Sequence, residues 1–343
     1  MSLNDYDSTA ADWREQLKRN ALKTRLVIMT FIAIYVVVGL IVDAVILQMH
    51  YPAAPLGRCL QALVTFQVMP YATLVMVVIA LLSLLVTYSM YDKLMLLGTD
   101  SHEITPETAR NTQEVQLYNV VEEMKVAAGL NWMPKVFIIE ANYMNAFASG
   151  YSEKSAMVAI TRGLMEKLNR AELQAVMAHE LSHIRHQDIK LTLMVAILSN
   201  ILLLVIDILF YTVVFKRDDR RSDNRLLIII MVLRYVLPLI TVVLALFLSR
   251  TREYMADAGA VELMRNNEPM ARALLKIAED HDAHAEEYEK AYGQTAHEQL
   301  RQESYLFDPS SIDPVKSVSS GFSTHPTVTE RLDALGYKLK RPS

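Results

Sequence analysis

The sequence predicts a mainly α-helical protein with a small β-sheet (α+β), in which four transmembrane helices form two hairpins beside one water-exposed domain. Three observations support this fold class. Apolar residues make up 52% of the 343 residues and charged residues 21%, a balance too apolar for a soluble protein and too charged for one wholly in lipid. Four apolar stretches interrupt the chain, and the segments between them carry helix-like and strand-like patterns.

Each of the four apolar stretches is long enough to cross a bilayer core of about 30 Å, which takes roughly 20 residues. The first begins too deep in the chain and lacks a small-residue cleavage site, so it is interpreted as a retained span rather than a secretory signal. The predicted organisation begins with an N-terminal segment over 1–25 and a first hairpin over 26–90, whose spans lie at about 26–47 and 68–90. The first half of the soluble domain follows over 91–190. A second hairpin over 191–249, with spans at about 191–215 and 226–249, separates it from the second half over 250–343.

Lysine and arginine near the spans predict that the N-terminus lies in the cytoplasm. Five basic residues precede the first span, namely Arg14, Lys18, Arg19, Lys23 and Arg25. The loop after that span carries only Arg58, and cytoplasmic loops are the ones enriched in such residues. An even number of spans then returns the soluble domain and the C-terminus to the same side. One loop disagrees, because 216–225 is placed outside and holds five basic residues.

The charge balance and the single cysteine exclude several classes of function. The net charge of −4 leaves no basic field for holding nucleic acid. Cys59 is the only cysteine, so neither an internal disulfide nor a cysteine-based metal cage can form.

The soluble segments carry readable helix and strand signals. Apolar periodicity predicts a helix over 107–130 that is ended by Gly129. Three short strands are predicted from apolar and β-branched runs, at 135–139, 145–149 and 155–161. Asn169 and Glu172 form a capping box, which predicts that a further helix starts at the next residue after Asn169. The charged stretch 279–303 is interpreted as a mobile, solvated helix or lid.

Two histidines on the capped helix carry the strongest chemical signal. His179 and His183 are four residues apart, so they lie on one helix face with about 5–6 Å between their Cβ atoms. Both imidazoles can then reach one zinc ion, and Glu180 between them is placed to act as the base toward the attacking water. The alternative interpretation is a polar surface turn.

A catalytic zinc site needs a third protein ligand. His186 stands only three residues beyond His183, so the two side chains would have to approach the metal from the same side. His186 is therefore interpreted as a polar surface residue. Glu253 and Asp257 are four apart on a helix that continues from the fourth span, and the hairpin brings them back toward His183. One carboxylate can bind zinc while the other accepts the outer N–H of a ligating histidine. A solvated acidic pair is the alternative.

The ordered set of motifs resembles the HtpX-like, heat-shock-associated membrane zinc proteases, relatives of the CAAX prenyl proteases. The motifs are NAFA at 145–148, HELSH at 179–183, REYMADAG at 252–259 and THP at 324–326 with a following Arg331. The resemblance implies a gluzincin-type fold, one Zn²⁺ per chain bound by His179, His183 and Glu253, and Glu180 as the base. It also implies a multi-pass protein of the bacterial cytoplasmic membrane that cleaves misfolded or damaged membrane proteins under stress, with other membrane quality-control proteases as partners.

Two further motifs have a functional interpretation that this resemblance favours over a purely structural one. Asn145, Ala146, Phe147 and Ala148 form a strand of mostly small residues, which can bind an extended peptide by adding it to the sheet; an ordinary edge strand is the alternative. His325 and Arg331 are expected to aim donors at the oxyanion that forms during catalysis, since a capping box at 327–330 places the arginine on a short helix. A surface histidine and a solvated arginine are the alternatives.

Two other classes of protein compete with a zinc endopeptidase at the membrane surface. An intramembrane protease would hold the metal helix in lipid, but the charged stretch 185–190 directly after the motif argues against that. A non-enzymatic membrane scaffold or holdase that has kept a zinc site would need a fourth protein ligand, and none is evident.

The second hairpin contains one charge in each span. Asp207 lies eight residues before the end of the third span, and Arg234 lies eight residues after the start of the fourth. At a rise of about 1.5 Å per residue, the two side chains reach matching depths in an antiparallel pair. The sequence therefore predicts an ion pair between Asp207 and Arg234, with separate snorkelling of each side chain as the alternative.

Overall fold

The computed structural model describes residues 3–8, 12–51, 53–150, 152–215, 224–294, 305–307 and 325–340. Its helices, in chain order, are α1 (Trp13–His50), α2 (Leu56–Val64), α3 (Tyr71–Leu96), α4 (Thr112–Ala128), α5 (Arg162–Lys167), α6 (Arg170–His186), α7 (Asp188–Phe215), α8 (Asn224–Met264), α9 (Glu268–Ala283), α10 (Ala285–Gln294) and α11 (Val328–Ala334). Its strands are β1 (Tyr6–Ser8), β2 (Ser101–Ile104), β3 (Lys135–Ile139), β4 (Ala146–Ser149), β5 (Met157–Thr161) and β6 (Tyr337–Leu339). The predicted class, mainly α with a small sheet, is confirmed.

The chain divides into two compact units. The first comprises 1–24, 88–191 and 246–343, and the second comprises 25–87 and 192–245. The first unit contains all six strands and the helices α4, α5, α6, α9, α10 and α11, whereas the second consists of the apolar parts of α1, α3, α7 and α8 together with α2.

The larger sheet has the strand order β2-β3-β5-β4. β3 and β5 are parallel, and the two outer strands run antiparallel to their neighbours. β3 covers the predicted residues, while β4 and β5 begin one and two residues later than predicted. β4 lies at one end of the sheet, as expected for a strand that could receive a peptide. A second sheet, which the sequence did not predict, pairs β1 with β6.

The larger sheet is buried on both faces. Side chains alternate along each strand, so Val158 and Ile160 face one apolar cluster while Met157 and Ala159 face another. The first cluster is completed by α4, α6 and α9, and the second by tyrosines of α10 and by Tyr305. Every residue of β4 and of β5 is buried as a result.

Helix α4 starts five residues later than predicted. Residues 105–108 form a turn instead, in which the Thr105 amide donates to the Thr108 hydroxyl at 2.8 Å. Asn111 then caps the helix, because its side-chain oxygen accepts from the amide of Glu114 at 2.9 Å. The predicted end is confirmed, since Gly129 follows the helix in the left-handed conformation with a φ of 69°.

The expectation of a solvated helix over 279–303 is confirmed only in part: residues 279–294 are largely helical and most of their charged side chains are exposed, but one face is buried. α9 and α10 bury His281, Tyr288 and Tyr292 against the second apolar cluster and its neighbours. The two tyrosines are four residues apart and share one helix face, which the high charge of the segment concealed. Residues 295–303 lie outside the described residues.

Among the described helices, three are long and apolar enough to cross a membrane: Trp13–His50, Met194–Val214 and Leu227–Met264. A shorter apolar segment covers Tyr71–Ser83 within α3. Many of their large apolar side chains point outward, as lipid-facing residues do; Leu85 is 69% exposed and Tyr235 is 73% exposed. Most of the basic loop 216–225 lies outside the described residues.

An aspartate that the sequence did not single out connects α1 to α3. The carboxylate of Asp43 accepts the main-chain N–H groups of Ala72 and Thr73 at 2.7 and 2.9 Å, and the Thr73 hydroxyl at 2.6 Å. Asp43 thereby satisfies amides at the start of α3 that have no partner inside the helix. A buried carboxylate in an apolar helix is explained by this cap.

The predicted ion pair of the second hairpin is confirmed. Arg234 Nε lies 2.8 Å from Asp207 Oδ1. The guanidinium group also lies over the ring of Phe210, at 4.3 Å from its centroid.

Neutralising one member of this pair should destabilise the protein more than neutralising both. Asp207→Asn or Arg234→Gln alone leaves one charge without its partner in an apolar helix pair, whereas the double variant leaves none. Thermal unfolding in detergent measures the two single variants and the double variant as a double-mutant cycle. Simple addition of the two single effects would show that the contact has no energetic role.

Candidate active site

Helix α6 is fixed at both ends. The predicted capping box is present, since the Glu172 amide donates to Asn169 Oδ1 and the Asn169 amide donates to Glu172 Oε2, both at 3.0 Å. The helix stops at Gln187, which adopts a left-handed conformation with a φ of 54°. The residues between are almost all buried, including His179 at 0% and Glu180 at 1% exposure.

Helix α8 brings the acidic pair to α6. Gly259 of α8 lies so close to Ser182 of α6 that a side chain on the glycine would collide with the serine hydroxyl. This close contact of two small residues places Glu253 and Asp257, six and two residues before Gly259, beside the histidines. Both carboxylates are buried.

The two histidines and Glu253 have the spacing of a metal site. The Nε2 atoms of His179 and His183 are 3.2 Å apart. The Glu253 carboxylate lies 3.6 Å from the first and 3.7 Å from the second. Four ligands at about 2.05 Å in a tetrahedron are roughly 3.3 Å apart, so these donors fit a zinc-sized ion. Among the described residues this is the one such group of three, and His186 is not in it.

Each imidazole is held at its outer nitrogen by a separate carboxylate. His179 Nδ1 lies 3.0 Å from Asp257 Oδ1, and His183 Nδ1 lies 2.9 Å from Asp188 Oδ2. With both Nδ1 atoms donating, both Nε2 lone pairs face the same point, which is the arrangement a metal requires. Asp257 was expected in this role. Asp188 was not, and the available signal was an acidic residue two positions past the end of the metal helix.

Glu180 is buried beside the imidazole pair. Neither of its carboxylate oxygens has a hydrogen bond within the described part of the chain. Burial raises the pKa of Glu180 to about 7, and the nearby Glu253 carboxylate raises it further, while the His179 imidazole and the main-chain amide of Ala148 oppose the shift. A carboxylate with this pKa can take up and release a proton near neutral pH.

Helix α11 brings Arg331 and His325 to the same site. Its predicted capping box is present, because Thr327 and Glu330 bond to each other's amides. Arg331 is buried and bonds Asp257 through Nε at 2.8 Å and Nη2 at 2.6 Å. His325 Nδ1 lies 3.7 Å from Glu253 Oε2. Thr324 of the THP motif lies outside the described residues.

The strand predicted to bind substrate, β4, contacts α6 on one side. The Asn145 side chain before it is fully buried; it donates to the Phe307 carbonyl at 3.0 Å and to the Tyr292 hydroxyl at 3.2 Å. The Ala146 carbonyl accepts from the Leu306 amide at 2.9 Å. The outer edge of β4 at this end is therefore occupied by the chain itself.

Comparison with known proteins agrees with this geometry. The sequence model of peptidase family M48 matches residues 111–338. A protein from Helicobacter pylori strain J99 named Protease HtpX homolog is 41% identical over 319 residues, covering 93% of this chain and 96% of its own. One of the same name from Listeria monocytogenes serotype 4a is 38% identical over 242 residues, covering 67% and 75%. The crystal structure of S. mikatae Ste24p is similar with a TM-score of 0.49 and 20% identity, covering 77% of this chain and 58% of that one.

The family match and the HtpX-homologue relatives define the class of protein as a membrane metallopeptidase, and the long apolar helices agree with that class. The chain belongs to peptidase family M48 and shares most of its length with proteases named HtpX homologues. The predicted resemblance is thus confirmed, and membership in a peptidase family decides against the non-enzymatic scaffold.

Glu253→Ala should lower bound metal, whereas His186→Ala should leave it nearly unchanged. Removal of one of three protein ligands should reduce the content from about one ion per chain to a small fraction, while His186 lies outside the ligand group. Elemental analysis of the purified variants compares the two. The reverse ranking would mean that the third ligand is misassigned.

Asp188→Asn should weaken metal binding by roughly 10–100-fold, because the carboxylate that holds Nδ1 of His183 is lost. Competition with a chromophoric chelator measures the affinity. Glu262→Gln is the matched control, since Glu262 of α8 pairs with Arg185 of α6 and contacts no proposed metal ligand. An Asp188→Asn variant with the control's affinity would show that the contact does not support the metal site.

Proposed function

We propose that the chain is a zinc-dependent endopeptidase that cleaves misfolded or damaged membrane proteins at the cytoplasmic face of the bacterial inner membrane. The observation that carries this proposal is the buried convergence of two Nε2 atoms and the Glu253 carboxylate, with Glu180 beside them. His179, His183 and Glu253 would hold one Zn²⁺. Such an ion polarises the scissile carbonyl and makes the attacking water more acidic.

Glu180 is the proton carrier in this proposal. Its buried carboxylate, next to the proposed ligand His179, is placed to accept the proton of the attacking water and to pass that proton to the leaving amine. Its carboxylate oxygens, which have no hydrogen bond among the described residues, are available for both steps.

Arg331 and Asp257 act mainly on the position of His179. The guanidinium group binds both oxygens of Asp257, whose Oδ1 in turn holds His179 Nδ1. A planar bidentate pair fixes the orientation of the carboxylate and hence of the imidazole. His325, close to Glu253, is the better placed of the two predicted donors to face a developing oxyanion.

The substrate class and the location rest on three supports. β4 presents main-chain groups that recognise an extended peptide without demanding particular side chains. Basic residues before the first span favour a cytoplasmic N-terminus, and the related proteins named above are bacterial. Helices able to cross a membrane support a location beside membrane-protein substrates and other quality-control proteases.

Glu180→Gln should retain zinc and fold but lower the rate of casein cleavage by about 10²–10⁴-fold, because an amide cannot accept the proton of water. Metal analysis and circular dichroism verify that the variant is intact. Cleavage by the wild-type protein should also stop on addition of a chelator and return with zinc. Unimpaired cleavage by a metal-replete Gln variant would refute the role of Glu180.

A further inference from the structure

Residues 305–307 are a segment that lies along the outer edge of β4. The Leu306 amide donates to the Ala146 carbonyl at 2.9 Å. The Phe307 amide donates to the Asn145 side-chain oxygen at 3.3 Å, and the Phe307 carbonyl accepts from the Asn145 side-chain amide at 3.0 Å. One main-chain bond and two bonds to the Asn145 side chain therefore hold this segment at the β4 edge.

The side chains of this segment pack against both faces of the sheet. Leu306 and Phe307 pack into the apolar cluster that contains Ala146, on the α6 face of the sheet. Tyr305 packs into the cluster on the opposite face, where its ring meets that of Phe147 edge-on with 5.8 Å between centroids. All three residues of the segment are buried.

The groups that the segment occupies are those assigned to substrate and catalysis. The Ala146 carbonyl and the Asn145 side-chain amide lie at this end of the β4 edge, where the proposed function has an extended peptide bind. The Leu306 carbonyl accepts from Arg331 Nη1 at 2.7 Å, on the guanidinium group that also binds Asp257. Ala148, whose amide acts on Glu180, is two residues along the same edge, which is about 7 Å.

We propose that residues 305–307 occupy the peptide-binding edge of β4 as an intramolecular competitor of substrate, and that the site takes extended peptides with a leucine-sized apolar residue opposite Ala146. This inference rests on the proposed function. A substrate must displace the segment to pair with β4. The apolar cluster that receives Leu306 sets the side-chain preference.

The competition has a kinetic consequence. If the edge is free for only a fraction of the time, the apparent affinity for substrate falls by that fraction. Leu306→Ala removes the buried anchor without touching β4, a metal ligand or Glu180. It should lower the KM for casein by up to about tenfold and leave kcat unchanged.

The matched control is Leu117→Ala, a leucine of α4 in the same apolar cluster. This substitution removes the same side-chain atoms from the apolar cluster, but Leu117 is not part of the β4 edge. Its KM should stay at the wild-type value. Wild-type KM in both variants, with zinc-dependent cleavage intact, would overturn the competitor assignment and leave the proposed function standing. Absence of zinc-dependent cleavage in all three proteins would refute the proposed function instead.

Hydrogen exchange of the unmodified full-length protein tests the segment without a variant and without activity. The amides of Leu306 and Phe307 should exchange slowly in the free protein, because both are bonded to β4 or Asn145. In the zinc-loaded Glu180→Gln protein, saturating casein should speed their exchange. Fast exchange in the free protein, or unchanged protection when casein is bound, would overturn the inference. An acetylated Tyr-Leu-Phe peptide amide should inhibit casein cleavage by the Leu306→Ala variant more strongly than the corresponding Tyr-Asp-Phe peptide does.

Discussion

The bidentate pair between Arg331 and Asp257 is the interaction on which the geometry of the site depends. Both residues are almost completely buried, at 2% and 1% exposure, so neither charge is compensated by water. Asp257 positions His179, while Arg331 also bonds the Leu306 carbonyl and lies 3.9 Å from Glu253. One guanidinium group therefore joins α6, α8, α11 and residue 306. Burial alone would raise the pKa of Asp257, but Arg331 holds it below its usual value.

The charges around the imidazole pair explain why these acids can be buried together. The described residues place four buried carboxylates and two buried guanidinium groups there, namely Glu180, Asp188, Glu253, Asp257, Arg252 and Arg331. The carboxyl groups therefore outnumber the guanidinium groups by two. A divalent cation held by the proposed ligands would offset that excess, and an uncompensated pair of buried charges would be costly. The same arrangement keeps both imidazoles in the tautomer that the cation requires.

The sequence predicted those parts of the site that depend on helical spacing. His179, Glu180 and His183 share one turn, and Glu253 and Asp257 repeat the interval of four on a second helix. Contacts that cross a turn or join distant segments could not be predicted. Asp188 reaches His183 from the start of α7, after the left-handed Gln187 ends α6. The burial of the α10 tyrosines, the pairing of β1 with β6 and the contacts of 305–307 with β4 depend on tertiary packing that no local pattern encodes.

An exposed edge strand that binds any extended peptide can also pair with the wrong chains. A segment of the same protein can prevent such pairing by occupying the edge. Main-chain hydrogen bonds are largely independent of side chains, so an open β4 would pair with unfolded or neighbouring chains without discrimination. A tethered segment has an effective concentration that a free peptide must exceed. Leu306 and its neighbours thereby protect the edge, and the apolar cluster beneath them sets what a competing chain must offer. An unfolded chain meets that condition through apolar side chains that a folded soluble protein keeps buried.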